Sequence, residues 1–436
     1  MVSSPSPSEP SGEPSGAAGT PPEPEPRPAK TSLATLTWGD IVRGHGPIAL
    51  LMVLGAVVRG FRIEVPAGAL MGDETYYVQA ARVIAGFPVL PKHLHGFARS
   101  LIDPNREHPP LAKVIIAEFL RLMGNRELAW RLPSVVMSTL AIGLVYAIVL
   151  KLRGTRTQAL MAAFILTFDN LCLVHGRIAT LDIYFLFFIL VGTLLYLSAY
   201  IELAAVAFAV ATLCKTNAVL GFVAVVLYEV LLEWGGWRTP SWQALRRRAV
   251  AFAIYVAFFL LGLGALDGFF TEFTGPIAHL KFMGSFHSGL KSHGEPSGTH
   301  SIPPQWWLNR GTFNYYSTRT VVHGVVTRHM IVEAAMNNYF IFLAPLGLVY
   351  ASLRAWKVRS PLATFAVASF LGNFAPLVAA WLVFSRTSYI YYMLPVIPSL
   401  ACGLAVAAES VPSKVRWGFV VLMLYSFAYQ YPVRVW

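Results

Sequence analysis

Charge is scarce in this chain. Only 13% of its 436 residues are Asp, Glu, Lys or Arg, whereas 56% are hydrophobic. A soluble globular domain carries roughly twice that share of charge, so the composition excludes a water-soluble fold and points to a bilayer. Cysteine is scarce too: Cys172, Cys214 and Cys402 are odd in number, widely spaced and set in or beside apolar stretches. They support neither a disulfide framework nor a Cys-based metal site. Also missing are a Gly-x4-Gly-Lys-Ser/Thr loop, a Gly-x-Gly-x-x-Gly turn after a strand, His-Glu-x-x-His and Asp-x-Asp. Their absence disfavours a nucleotide-driven pump and soluble nucleotide-sugar chemistry.

Apolar stretches of about 20 residues, the length that spans a bilayer, recur from His45 onward. They fall at 46–63, 128–150, 157–174, 181–200, 202–214, 217–234, 249–267, 331–352, 361–384, 388–408 and 417–432. The expected fold is an all-α polytopic membrane protein with about 11 transmembrane helices. The net charge of +12 does not signal nucleic acid, because the basic residues cluster in short loops between apolar runs. Lys151/Arg153/Arg156, Arg238/Arg246/Arg247/Arg248, Arg354/Lys357/Arg359 and Lys414/Arg416 all fall on one side if every span is counted, the short fifth one included. The positive-inside rule makes that side cytoplasmic.

Residues 1–44 read as a disordered cytoplasmic tail, with nine of the 29 prolines before Lys30 and nothing there to bury. Residues 45–436 then form the membrane domain. Two longer segments, 64–127 and 268–330, lie outside, and function is sought there. In the first, Pro109 and Pro110 open an apolar-periodic stretch over Leu111–Met123, too short to span and suited to lie along the interface. Lys113, Glu118 and Arg121 are read as its polar side.

Asp73 and Glu74 are adjacent carboxylates just after the first span. One could remove the proton from a hydroxyl attacking an anomeric carbon, and a phosphate leaving group would make a second, acidic carboxyl unnecessary. Alternatively, the pair caps and charges the first turn of a helix. His108 precedes the two prolines, and serves either function or local structure. Arg177 and Asp182 sit at the outer ends of the third and fourth spans, where ionisable groups are costly unless paired or working. The two readings are a mutual ion pair and a functional site. Lys215 and Arg386 face outward against the charge trend, as cations for a lipid-linked phosphate or as side chains snorkelling to headgroups.

These motifs converge. Asp73-Glu74, His108-Pro-Pro-Leu-Ala-Lys113, Arg131-Leu-Pro-Ser134, Arg177-Ile-Ala-Thr-Leu-Asp182, Lys215-Thr-Asn217 and Arg386-Thr-Ser-Tyr-Ile-Tyr-Tyr-Met-Leu-Pro395 stand in the order and spacing of the protein O-mannosyltransferases. Phe286-His-Ser-Gly-Leu290 and Gln305-Trp-Trp307 resemble that family's aromatic-rich loop. The chain resembles this family of the GT-C superfamily from about Leu50 to Ala407.

The resemblance implies transfer of mannose, or a related hexose, from a polyprenyl- or dolichyl-phosphate donor to Ser or Thr of a secreted or membrane protein, with inversion. It implies Asp73 as catalytic base and Glu74 as the acidic neighbour that positions the acceptor. Arg131 is implied to be a functional arginine, Asp182 a cleft residue, and His108, Arg177, Lys215 and Arg386 donor-binding candidates. No metal ligand set is visible. The second outer loop is too short for the MIR domain of eukaryotic members, so the likeness is to prokaryotic ones, acting at the extracytoplasmic face of the plasma membrane. Gly72 stands where the family usually has Phe. Two rivals are a same-fold enzyme acting on a lipid or cell-wall glycan and a transporter or flippase. The latter should carry internal repeats, and none relates 46–234 to 249–432.

Overall fold

Helix follows the apolar runs almost one for one. The structure, a computed structural model, describes Met1 and residues 38–89, 101–236, 239–291, 300–322 and 325–432. Contacts divide it into Met1–Gly44 and His45–Trp436, and the sites described below belong to the second unit. Residues 2–37 of the expected tail lie outside the described residues.

In chain order, α1 (Trp38–Gly60), α2 (Glu74–Ala85), α3 (Leu111–Met123), α4 (Glu127–Lys151), α5 (Arg156–Phe168) and α6 (Asn170–His175) come first. They are followed by α7 (Asp182–Leu197), α8 (Ile201–Cys214), α9 (Val219–Trp234), α10 (Trp242–Phe270), α11 (Pro276–Gly289) and α12 (Pro303–Trp306). A hairpin of β1 (Phe313–Val322) and β2 (Val325–Ala334) precedes α13 (Asn338–Val358), α14 (Pro361–Phe384), α15 (Ile397–Ala408) and α16 (Ser413–Gln430).

Each of the eleven expected spans meets a helix, but not eleven helices of spanning length. Among the described residues, five stretches are long and apolar enough to cross a bilayer: Glu127–Lys151, Thr216–Trp234, Trp242–Phe270, Asn338–Val358 and Pro361–Phe384. Gly44–Gly60, Arg156–Phe168, Asp182–Leu197, Ile201–Cys214 and Ile397–Ala408 are apolar but shorter. The chain is a multi-pass integral membrane protein.

Polar groups account for one break. The expected span 157–174 is two helices because Asp169 interrupts it, accepting from the Cys172 amide at 2.9 Å and, from across the bundle, the Asn337 amide at 2.9 Å. The α5 carbonyls freed there are met by Arg59, whose guanidinium donates to Leu166 O at 2.9 Å and Thr167 O at 3.3 Å. A lipid-embedded chain needs such internal partners for every released backbone group.

The fold is not all-α. Two runs rich in β-branched and aromatic residues pair antiparallel as β1 and β2, and the expected span at 331–352 starts as a helix only at Asn338. The register slips between Asn314 and Tyr316, leaving Tyr315 as the extra residue of a bulge. A bulge re-aims a side chain, and Tyr315 is turned inward and buried.

Helices that approach closely do so at small residues. A Cβ on Gly372 of α14 would stand 2.5 Å from Ala224 Cα of α9. Gly372→Val should therefore force the helices apart and cost about 2 kcal/mol, read as a lower thermal midpoint in detergent. Gly60→Val, where a Cβ meets nothing within 4 Å, should leave that midpoint unchanged.

Candidate active site

The loop between α1 and α2 carries Asp73, and one ion pair holds it. Arg131 on α4 and Glu74 on α2 meet in a fully buried bidentate contact, Nε to Oε1 at 2.9 Å and Nη2 to Oε2 at 2.8 Å. The remaining Arg131 protons reach Ile63 O at 2.8 Å and Ala69 O at 3.1 Å. Glu74 also accepts from the Met71 amide at 3.0 Å and the Ala179 amide at 2.9 Å. With its lone pairs occupied, Glu74 faces no solvent and stands outside the cavity that its neighbour lines. The geometry assigns it and Arg131 the shaping of the Asp73 loop.

Asp73 occupies the position before α2, yet its side chain makes no capping hydrogen bond. Its carboxylate lines a cavity of about 420 Å³ together with Glu107, His108, Lys215, Arg386 and Tyr391. Burial raises the Asp73 pKa to about 6, with Lys215 pulling it down and Asp182 pushing it up. A base with a pKa near the working pH suits proton transfer.

Gly72 is explained by the hairpin. Its φ is +49°, and a Cβ would stand 2.4 Å from the ring of Tyr315. A larger residue there is excluded by both backbone and space. The same Tyr315 hydroxyl lies 3.4 Å from His175 Nε2.

Lys215 caps the C-terminus of α8 in extended conformation, which turns it into the cavity. Its Nζ donates to Asp182 Oδ1 at 2.8 Å and stands 5.3 Å from the ring centre of Tyr391 and 5.9 Å from that of Tyr392. Asp182 opens α7 and is buried. It therefore reaches the cavity through Lys215, and the mutual Arg177–Asp182 ion pair, one of the two readings, is not formed among the described residues. Arg177 instead donates to Phe61 O at 3.0 Å and to the Tyr431 hydroxyl at 3.2 Å, tying the end of α1 to the chain after α16. It does not line the cavity.

Arg386 lines the same cavity and donates to His287 O. Burial and Arg386 lower the His287 pKa to about 4. His108 packs 5.2 Å from the His287 ring, and burial together with the nearby cations, Lys215 foremost, lowers its pKa well below the usual value. Among the described residues, His108 Nδ1 and Asn217 Oδ1 are buried without a hydrogen-bond partner, and both residues line this cavity. Lys113 lies on the buried face of α3, correcting its reading as part of a polar side. It bonds Asp103 at 2.5 Å and His108 O at 3.0 Å, and so fixes the turn that delivers Glu107 and His108.

Tyr389, Tyr391 and Tyr392, missed as functional candidates, form a cavity wall in which Tyr389 and Tyr391 stack at 5.0 Å. Their closeness to Lys215 is tertiary; the sequence offers only an aromatic run ahead of Pro395. Among the described residues no group of three His, Cys, Asp or Glu is placed to hold a metal ion.

The helical order and the two long connecting segments give a fold similar to those of solved proteins. Saccharomyces cerevisiae protein O-mannosyltransferase Pmt1-Pmt2, solved with its sugar donor, superposes with a TM-score of 0.69 over 92% of this chain and 90% of that one, at 12% identity. ArnT from Cupriavidus metallidurans, solved with undecaprenyl phosphate, superposes at 0.58 over 87% of this chain and 63% of that one, at 18% identity. Residues 107–261 match the family model of dolichyl-phosphate-mannose-protein mannosyltransferases. The polyprenol-phosphate-mannose–protein mannosyltransferase of Corynebacterium glutamicum is 30% identical over 177 residues, 39% of this chain and 31% of that protein. The Mycolicibacterium smegmatis protein of the same name is 26% identical over 152 residues, 34% of this chain and 28% of its own. The match thus spans about a third of the length of these curated relatives.

Removing either partner of the buried pair strands the other charge. Glu74→Gln and Arg131→Met should each cost about 3 kcal/mol or more, while Glu74→Met/Arg131→Met should regain much of it. Thermal unfolding of the three variants in detergent checks this.

Proposed function

We propose that this protein transfers mannose or a related hexose from a polyprenyl-phosphate donor to Ser or Thr hydroxyls of secreted or membrane proteins. The observation that carries the reading is Asp73, whose carboxylate makes no capping hydrogen bond and which lines one cavity with Lys215 and Arg386. In the step, Asp73 takes the acceptor hydroxyl proton, the acceptor oxygen bonds C1 of the sugar with inversion, and the C1–O bond to phosphate breaks. Lys215, held by Asp182, and Arg386 receive the phosphate charge. The two unpartnered polar atoms, on His108 and Asn217, supply hydrogen-bonding capacity for sugar hydroxyls. Glu74, Arg131 and Arg177 act as positioning residues outside this step.

The names of the curated relatives and the matched family support the donor and the protein acceptor. A glycolipid or cell-wall glycan acceptor remains the second reading of the same chemistry. We place the reaction on the extracytoplasmic side of a prokaryotic plasma membrane, with the N-terminus cytoplasmic; the basic loops support this orientation.

The test is transfer of labelled mannose from polyprenyl-phosphate mannose to a Ser/Thr-rich peptide by membranes carrying the protein. Asp73→Asn should lower the rate at least roughly 100-fold, and the peptide label should be released by alkali. Label that appears only in lipid or glycan would transfer the reading to that acceptor. Because the base form of Asp73 exists above its pKa of about 6, wild-type transfer should be lost as pH falls through that value and level off above it. A rate independent of pH between 5 and 8 would count against Asp73 as the base.

A further inference from the structure

The basic loops that orient the chain do more than mark a side. At the far end of the bundle from Asp73, a second cavity of about 680 Å³ opens among the C-terminal ends of α4, α7 and α9 and the N-terminal ends of α8, α10 and α14. Arg131 and Lys151 are both on α4, and at 1.5 Å per residue the two sites stand about 30 Å apart along it, close to the thickness of a hydrocarbon core. Four cations from two parts of the chain distant in sequence gather here: Lys151, Arg153, Arg247 and Arg248.

Arg248 is satisfied by Glu233. Lys151, Arg153 and Arg247 have no ion pair or hydrogen bond among the described residues, although Glu229 and Glu233 line the same cavity. Three unpaired cations around one hollow leave it short of negative charge. Beside it, Trp234 at the end of α9 and Trp242 at the start of α10 are 84% and 76% exposed. Amphipathic indoles of this kind sit at the headgroup level of a bilayer.

We propose that this cavity binds the phosphate headgroup of an anionic membrane lipid, with Lys151, Arg153 and Arg247 on the phosphate and the acyl chains leaving along the exposed faces of α9 and α10. The lipid belongs to the leaflet opposite the Asp73 cavity. The ligand fits the place because a phosphate satisfies several cations at once, while its chains cover the apolar face beside the indoles.

The test uses the full chain, delipidated in neutral detergent and titrated with dioleoyl-phosphatidylglycerol or dioleoyl-phosphatidylcholine, with bound lipid counted by native mass spectrometry. Wild type should bind phosphatidylglycerol roughly tenfold or more tightly than Lys151→Gln/Arg153→Gln/Arg247→Gln. Lys357→Gln/Arg359→Gln/Lys414→Gln, which removes basic residues outside the cavity, should bind like wild type. The charge-conserving Lys151→Arg/Arg153→Lys/Arg247→Lys should restore binding, separating the site from a folding defect. Equal binding of the two lipids, or an equal loss in the comparator, would overturn the proposal. Inorganic phosphate distinguishes the source of the ligand: failure to displace the lipid at millimolar concentration supports a membrane lipid, and ready displacement assigns the cavity to a soluble phosphate and overturns the lipid.

Discussion

The buried contact between Glu74 and Arg131 is the constraint on which the site depends. It joins α2 to α4, fastens the carbonyls of Ile63 and Ala69, and engages the amide of Ala179. Burying two charges is expensive, and the cost is offset only when every proton and lone pair has a partner. That requirement turns an ion pair into a template: the loop can close over it in one way, and the way it closes presents Asp73 to the cavity. Two adjacent acids thus meet different surroundings because successive residues at a helix start point in different directions.

The second constraint comes from the far end of the sequence. Tyr315, bulged from its ladder, presses against Gly72, while Tyr391 and Tyr392 stand over Lys215. Lys215 answers to Asp182 on one side and to the cavity on the other. The cavity is therefore assembled from five regions of the chain.

Much of this was legible in the residues. Spans without charge announce their helices, and Asp73, His108, Lys215 and Arg386 stand out because charged or titratable groups near a membrane need a reason. The capping alternative for Asp73 could be weighed only once the side chain was seen to make no capping bond. The pairings were illegible for a different reason: Arg177 was equally compatible with Asp182, with headgroups and with the backbone at Phe61, and only tertiary distance chooses. Lys113 looked polar-facing because helical periodicity ranks residue types and cannot see the buried Asp103 that receives it. The hairpin did leave a signal, two β-branched runs either side of His323-Gly324, but its second run merges with the apolar stretch of α13.

The shortness of α8 has a consequence for the surrounding bilayer. Both α8 and α4 begin or end at the same cavity on one side of the bundle. Fourteen residues carry α8 about 21 Å from there to Lys215, whereas Arg131 on α4 is about 30 Å away. Under the proposed orientation Lys215 is thus recessed, at a level where an unperturbed bilayer holds acyl chains. Under the proposed reaction, the donor phosphate has to sink or the membrane has to thin around the protein, and either adjustment costs free energy that grows with mismatch. The acyl-chain length of the host membrane thereby becomes a variable of the chemistry.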